Sequence, residues 1–187
     1  MRVIAGTARG RPLVAPRGTG TRPIADRVKE TLFAILGGRT PDAQVLDLYA
    51  GSGAIGIEAL SRGASRCDFV EHDRRAVIAI RQNLERTGLA EQASVHQADV
   101  LRFLNGAVGE RFDLVFLDPP YVERAILAPL ERLVTRLAPG GAVVVKHHWR
   151  TPIPEVPALA RWRERRFGET ALTFLAAADR ADRVEES

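Results

Sequence analysis

Two stretches of this chain put carboxylates where strand patterns end. Asp118-Pro119-Pro120-Tyr121 follows the apolar run Phe112 to Leu117, which reads as a strand buried in a parallel sheet. Neither proline can donate to a ladder and each fixes its own φ, so the strand stops and a stiff loop begins. That loop offers a carboxylate, an unpaired carbonyl and an aromatic ring, at the strand end where open α/β sheets bind ligands. On its own, the tetrapeptide is better explained as a proline-terminated strand whose Asp caps a turn.

The second stretch changes that balance. Val45-Leu46-Asp47-Leu48-Tyr49-Ala50-Gly51-Ser52-Gly53-Ala54-Ile55-Gly56 passes from an apolar strand through a glycine turn into the helical pattern Ile55, Ala59, Leu60. Gly51, Gly53 and Gly56 satisfy a G-x-G-x-x-G fingerprint, and Glu71 lies 20 residues past Gly51, where a ribose-binding acid is expected. Two ligand classes compete: a nicotinamide or flavin dinucleotide, and S-adenosylmethionine. Asp47 separates them, because a carboxylate just before the glycine loop repels a pyrophosphate and attracts the cationic amino and sulfonium groups of the methyl donor. The glycines serve either ligand by letting the backbone approach closely. With Asp47 before the loop and the proline tetrapeptide after it, the methyl donor is the better fit.

The elements that hold these residues alternate in kind. Strands at 44–49, 66–71, 94–97, 112–117 and Ala142–Lys146 are separated by helices near 54–62 and 74–87, a short helix after Asp99, and one near 123–137. That order implies a parallel, doubly wound sheet with right-handed crossovers. Pro139-Gly140-Gly141 is read as the turn into the fifth strand. A last pair, Trp162–Phe167 and Thr170–Ala176, turns at Gly168-Glu169 as an antiparallel hairpin. Ahead of the sheet, Ile24, Val28, Leu32, Ile35 and Leu36 recur at helical spacing and Gly37-Gly38 close that helix. Residues 1–22 alternate apolar with basic, and predict a small β-hairpin extension with strands near Arg2–Ala5 and Leu13–Ala15. The expected organisation is therefore an extension over 1–22, a main domain over 23–178 and a disordered charged tail over 179–187.

Composition bounds the rest. A chain of 187 residues that is 45% hydrophobic suits one domain with a full core. No apolar run approaches the roughly 20 residues of a membrane span, and no signal-peptide core follows Met1-Arg2, so a cytoplasmic location and no membrane partner are expected. The lone Cys67 fits a reducing compartment and a buried strand position. Residues 1–30 carry Arg2, Arg9, Arg11, Arg17, Arg22, Arg27 and Lys29 against Asp26 and Glu30, a net +5, which leaves −1 for the remaining 157. A basic segment on a near-neutral body points to a polyanionic partner, with Arg2, Arg9, Arg11, Arg17 and Arg27 as candidate phosphate contacts. His147-His148 is not read as a metal site, because adjacent strand residues face opposite ways and no further ligands stand at suitable spacing.

These motifs resemble those of a known family. Asp-Pro-Pro-Tyr downstream of Asp-x-x-x-Gly-x-Gly is similar to the class I methyltransferases that modify exocyclic amino groups of nucleobases. The likeness is closer to the RsmD family of bacterial 16S rRNA guanine-N2 methyltransferases. It takes in Arg2-Val3-Ile4-Ala5-Gly6, Gly10-Arg11, Thr21-Arg22-Pro23 before Asp26-Arg27-Val28, and Ala50 through Ala64. Tyr49 stands where the family pattern has Phe. The resemblance implies a Rossmann-like class I fold, a mostly parallel seven-stranded sheet with an antiparallel last strand. It also implies a 16S rRNA substrate, within a small ribosomal subunit or its assembly intermediate, and a chain expected to act as a monomer.

The same resemblance distributes roles. Asp47, Tyr49, Ala50, Gly51, Ser52 and Gly53 would line the donor, with Glu71 on the ribose hydroxyls, His72 flanking the adenosine, and Asp99 and Val100 at the adenine. Asp73 is read as the cap of the helix that follows it, and for Asp99 capping the helix near Val100 is as good an account as the adenine contact. Arg22 would meet the donor's carboxylate. An exocyclic amine is a poor nucleophile because its lone pair is delocalised; the Asp118 carboxylate and Pro119 carbonyl can accept its two N–H bonds and aim the lone pair at the methyl. Pro120 stiffens the loop, and Tyr121 can stack on an extruded base. From the motifs alone, adenine-N6, cytosine-N4 and guanine-N2 stay inseparable, and the resemblance selects guanine-N2. The rivals are a DNA adenine-N6 methyltransferase, which would need more than the about 40 N-terminal residues for target recognition, an NAD-dependent oxidoreductase and a non-catalytic RNA-binding module. Lys146-His147-His148-Trp149 ends the fifth strand close to the active edge as a candidate RNA contact, and the Arg161–Arg166 run, which alternates along a predicted strand and is partly solvent-facing, is a candidate for an added phosphate contact.

Overall fold

The computed structural model describes residues 1–16, 24–106, 109, 111–119 and 124–178. Its seven strands are β1 (Gln44–Leu48), β2 (Arg66–Glu71), β3 (Ala93–Gln97), β4 (Phe112–Leu117), β5 (Leu137–His148), β6 (Leu159–Phe167) and β7 (Thr170–Ala177). They form one sheet in the order β3-β2-β1-β4-β5-β7-β6. The pairs from β3 across to β5 are parallel, while β7 runs antiparallel to both β5 and β6. The chain builds outward from β1 in one direction and from β4 in the other, so β1 and β4 meet at a topological switch point, with Leu48 level with Leu117. Ligands of open α/β sheets bind at that crevice.

Helices cover both faces. α1 (Asp26–Leu36), α2 (Ala54–Ser61) and α3 (Arg74–Thr87) bury Leu32, Ile57 and Ile80 against Val45, Phe69, Phe116 and Val144. α4 (Val100–Leu104) and α5 (Arg124–Leu133) bury Leu104, Ile126 and Leu130 against Leu46, Val115 and Val143. Successive strand residues thus feed opposite cores, and the central strands are mostly apolar because helices cover both faces. α3 starts at Asp73, whose Oδ1 accepts the Arg75 and Ala76 N–H groups, and ends at Gly88 with φ 73, the left-handed stop that glycine supplies cheaply. Cys67 is fully buried, as expected, and burial pushes its thiol well above the usual range.

Two expectations are corrected. Pro139-Gly140-Gly141 does not precede the fifth strand; it is a bulge within it, since β5 begins at Leu137 and pairs there with Phe112 before the register shifts. Gly140 takes φ 76 and a Cβ on Gly141 would come 2.9 Å from the Phe112 carbonyl, so the chain folds in where a side chain cannot fit. Among its described residues, the N-terminal segment makes one bridge, Arg2 to Pro12, supported by Val3 N–H to the Arg11 carbonyl and Leu13 N–H to the Met1 carbonyl. Two regular strands do not form because the other amides turn to α2. Ile4 and Ala5 N–H donate to the Glu58 carboxylate, Thr7 N–H to the Ser61 carbonyl and Ala8 N–H to Ser61 Oγ. Gly6, at φ 83, passes so close that a Cβ would overlap the Ser61 carbonyl. The charged tail over 179–187 lies outside the described residues.

Candidate active site

The glycine loop is shaped by the carboxylates at the ends of the strands beside it. Tyr49, Gly51 and Gly53 all have positive φ, at 57, 57 and 74, and for Tyr49 that conformation is strained. Gly53 N–H closes the turn on the Ala50 carbonyl at 2.7 Å, and the Gly53 carbonyl then accepts from Ile57 in α2. Glu71 Oε2 accepts Gly51 N–H at 2.9 Å while its Oε1 accepts Asp73 N–H. Asp47 Oδ2 accepts Gly56 N–H at 2.9 Å. Asn83 of α3 donates to the Ser52 carbonyl and also to Val14, which ties the loop to the N-terminal segment. Gly56 could carry no side chain, as a Cβ would meet Phe69 at 2.4 Å and Cys67 Sγ at 2.7 Å.

Asp47 is placed differently from the direct ligand contact that its position suggests. Its residue is 2% exposed and the carboxylate is engaged in holding the first turn of α2. Burial, with added repulsion from Asp118 and Glu71 and only partial relief from the Gly56 N–H, lifts the carboxyl to about 8. Asp47, Glu71 and Asp118 lie at or next to the carboxyl ends of the paired parallel strands β1, β2 and β4, so they share one rim of the sheet. A concentration of acidic groups at a strand edge suits a cationic ligand and disfavours a pyrophosphate.

Asp118 follows β4 directly, its N–H directed at the Leu48 carbonyl. The carboxylate is 28% exposed and both oxygens accept from Lys146 Nζ at 2.7 Å; the Lys146 side chain is 10% exposed. Burial raises the Asp118 pKa, and Lys146 opposes the rise through charge and hydrogen bonding. Lys146 is the functional-site residue that sequence reasoning passed over. It was placed near the active edge, but its reach across to β4 depends on parallel β4–β5 pairing in a register that sets Leu117 beside Val145.

The other expected site residues distribute as follows. His72, largely exposed, and Asp99 line a cleft of about 330 Å³ with Gln97, Ala98 and Arg102, at the carboxyl ends of β2 and β3. Asp99 also caps α4 through Arg102 N–H, and Val100 is buried behind it. Burial, and then the Asp99 charge, raise the pKa of half-buried Tyr49. Pro119 is buried, whereas Pro120, Tyr121, Arg17 and Arg22 fall outside the described residues. Of the candidate RNA contacts, Arg2 pairs with Asp26, Arg11 donates to the Arg86 carbonyl, and Arg9 and Arg27 are exposed. Lys29 must be withdrawn from the basic segment's outward charge. It is fully buried, donating to the Arg2 carbonyl and to Glu58, which also holds Arg62. His147 is buried against Thr173 and the His148 carbonyl, and among the described residues no three His, Cys, Asp or Glu side chains cluster as a metal site. No helix among them is long and apolar enough to cross a membrane.

Strand order, glycine loop and rim carboxylates together define a Rossmann-like fold of the class I methyltransferase type. A solved Escherichia coli structure, described as a candidate methyltransferase, superposes with a TM-score of 0.85 over 95% of this chain and 97% of that one, at 36% identity. The family model described as conserved hypothetical protein 95 matches residues 1–176. Ribosomal RNA small subunit methyltransferase D of Escherichia coli strain K12 is 38% identical over 177 residues, covering 91% of this chain and 87% of the relative. A Bacillus subtilis protein described as a candidate rRNA methyltransferase is 40% identical over 179 residues, covering 93% and 97%. The chain belongs to this family, the RsmD family.

Proposed function

We propose that this chain is an S-adenosylmethionine-dependent rRNA methyltransferase, and that it modifies the exocyclic N2 amino group of a guanine in 16S rRNA, as a cytoplasmic monomer working on the small ribosomal subunit or an assembly intermediate. The observation that carries the reading is the adjacency of the two motifs: β1 and β4 pair in register, so the glycine loop after Leu48 and Asp118 after Leu117 leave the same edge side by side. Family membership supports an rRNA substrate, since the named relative modifies small-subunit rRNA. The guanine-N2 target rests on the motif resemblance.

When bound, S-adenosylmethionine supplies an electrophilic methyl on a sulfonium. The chain's own part is to hold the nucleophile. Asp118 accepts one amine N–H and the Pro119 carbonyl the other, drawing the nitrogen toward tetrahedral geometry. The amine gains positive charge as its bond to the methyl forms, and Asp118 stabilises that charge where it develops. Proton loss follows transfer, so no strong base is required. Lys146 holds Asp118 in its ionised, accepting form, and each carboxylate oxygen keeps lone-pair capacity beyond that ion pair. Glu71 and the cleft beside Asp99 and His72 receive the adenosine end.

The test is transfer of a tritiated methyl from the donor to naked 16S rRNA, assembled small subunits and DNA, followed by nucleoside analysis. Label should appear in N2-methylguanosine of the rRNA substrates, and Asp118→Ala should cut turnover at least a hundredfold with donor affinity within about threefold of wild type. Label in DNA adenine, or none anywhere with tight NADH binding, would refute the proposal.

A further inference from the structure

The exposed large apolar side chains among the described residues are Ile78, Leu127 and Trp149. Trp149 differs from the two helical ones in its company. It follows β5 directly, three residues beyond Lys146, and its N–H is fixed to the Glu169 carbonyl in the β6–β7 turn. The Arg166 guanidinium lies 3.7 Å from the indole centroid and that of Arg150 4.9 Å. Arg166 Nε also donates to the Gly168 carbonyl at 2.8 Å, so stacking and a backbone bond immobilise this cation. His148 packs at 6.2 Å from the indole.

Two like charges drawn to one ring stand within roughly a Debye length of 10 Å of each other and repel. An anion between them removes that cost. The ion pairs formed among the described residues include neither arginine, and Glu164 of the same strand as Arg166 is taken by Arg161 and Thr173. Exposed Arg163 and Arg165 extend the positive charge along the edge strand β6. An aromatic face with guanidiniums pinned around it suits an unpaired base and its flanking phosphates better than a purely anionic surface. The patch shares the carboxyl edge with Asp118, since β4 and β5 pair through Leu117 and Val145.

We propose that Trp149, Arg150 and Arg166 form a second RNA-docking surface, apart from the basic N-terminal segment, that grips single-stranded RNA flanking the target nucleotide. This rests on the rRNA methyltransferase reading. The arginines hold phosphates and the indole stacks on a base, so the patch governs substrate binding and leaves the chemical step alone.

The experiment compares wild type with Arg150→Glu/Arg166→Glu, Arg150→Lys/Arg166→Lys and Trp149→Ala, using transcribed 16S rRNA and purified small subunits as probes. The charge-reversal variant should bind naked rRNA at least tenfold more weakly, with a salt slope shallower by roughly 1.4 for two lost phosphate contacts on a single strand. Its KM for RNA should rise while kcat and donor affinity stay at wild-type values, which also certifies its folding. The lysine variant should keep the salt slope, and Trp149→Ala should weaken binding without changing that slope. A charge-reversal variant with wild-type affinity and slope overturns the proposal. Unchanged affinity for naked rRNA with lost activity on subunits also overturns it, assigning the patch to a ribosomal protein. Wild-type protein that binds the donor yet transfers no methyl to any RNA overturns the functional reading, and the docking surface with it.

Discussion

Asp47 shows how a single side chain can carry opposed demands. Its folded-state pKa of about 8 stands above the ordinary 3.8, so between about pH 4 and 8 the folded chain keeps a proton that the unfolded chain has released. Stability from this group is therefore full below the lower value and falls as pH rises through the upper one. Asp47→Asn keeps an acceptor for the Gly56 N–H and removes the buried charge. It should melt above wild type at pH 8.5, by on the order of 1.4 kcal/mol per unit of displaced pKa, and the advantage should vanish near pH 4. Thermal melts across that range check the sign. Donor affinity should fall in the same variant only above about pH 8, where the wild-type Asp47 carries its charge. Lys146 offers the converse case. Lys146→Met removes what opposes the burial of Asp118, so the Asp118 pKa should climb and the acid limb of the kcat/KM profile should move to higher pH. An unmoved limb would mean that Asp118 does not work as a carboxylate. Asp47 could be found from sequence because a strand end and a glycine loop announce it. Lys146 could not, since its partner is fixed by β-pairing across a long gap in sequence.

At the scale of elements, the glycine loop works because α2 sits hard against β2. Gly56 is the contact point, and a methyl there would strike Phe69 and Cys67 inside the fully packed core. Gly56→Ala should cost about 1–3 kcal/mol through overpacking. It should also weaken donor binding, since α2 cannot shift without dragging the Gly56 N–H from Asp47 and the loop from Glu71. Calorimetry of unfolding and of donor binding would show both losses together; a variant that lost stability alone would uncouple helix from loop. The strands β1, β2 and β4, and the helix α3, were legible to within a residue because apolar runs, Asp73 and Gly88 mark their limits locally. The bulge in β5 was not. Pro139-Gly140-Gly141 has the local chemistry of a turn, and only its packing against the Phe112 carbonyl keeps it within the strand. The N-terminal hairpin was misjudged for a similar reason, as apolar-basic alternation cannot reveal that Glu58 and Ser61 will satisfy the backbone in place of a second strand.

For the whole molecule, that N-terminal segment raises the question of where the folding unit begins. A division at residue 22 would leave a basic attachment on a self-sufficient domain, but the contacts argue for one cooperative body. Val3, Ala8 and Leu13 belong to the same buried core as Leu32 and Ile57. Glu58 accepts from Ile4, Ala5, Lys29 and Arg62, and Asn83 joins Val14 to the glycine loop. Removing residues 1–16 would strip apolar cover worth about 1.5–3 kcal/mol for each large side chain. It would also leave buried Glu58, Ser61 and Asn83 short of partners, at about 1–3 kcal/mol per unsatisfied group. Against a total stability of about 5–15 kcal/mol, those losses are most of what the domain has. The full chain should therefore unfold in a single transition, by calorimetry and by circular dichroism alike. The truncated chain should be unfolded or melt at least about 15 °C lower, with donor affinity reduced because Asn83, which anchors Ser52, loses its partner Val14. A truncated protein that kept its melting temperature and its donor affinity would restore the two-part division and confine the segment to RNA contact.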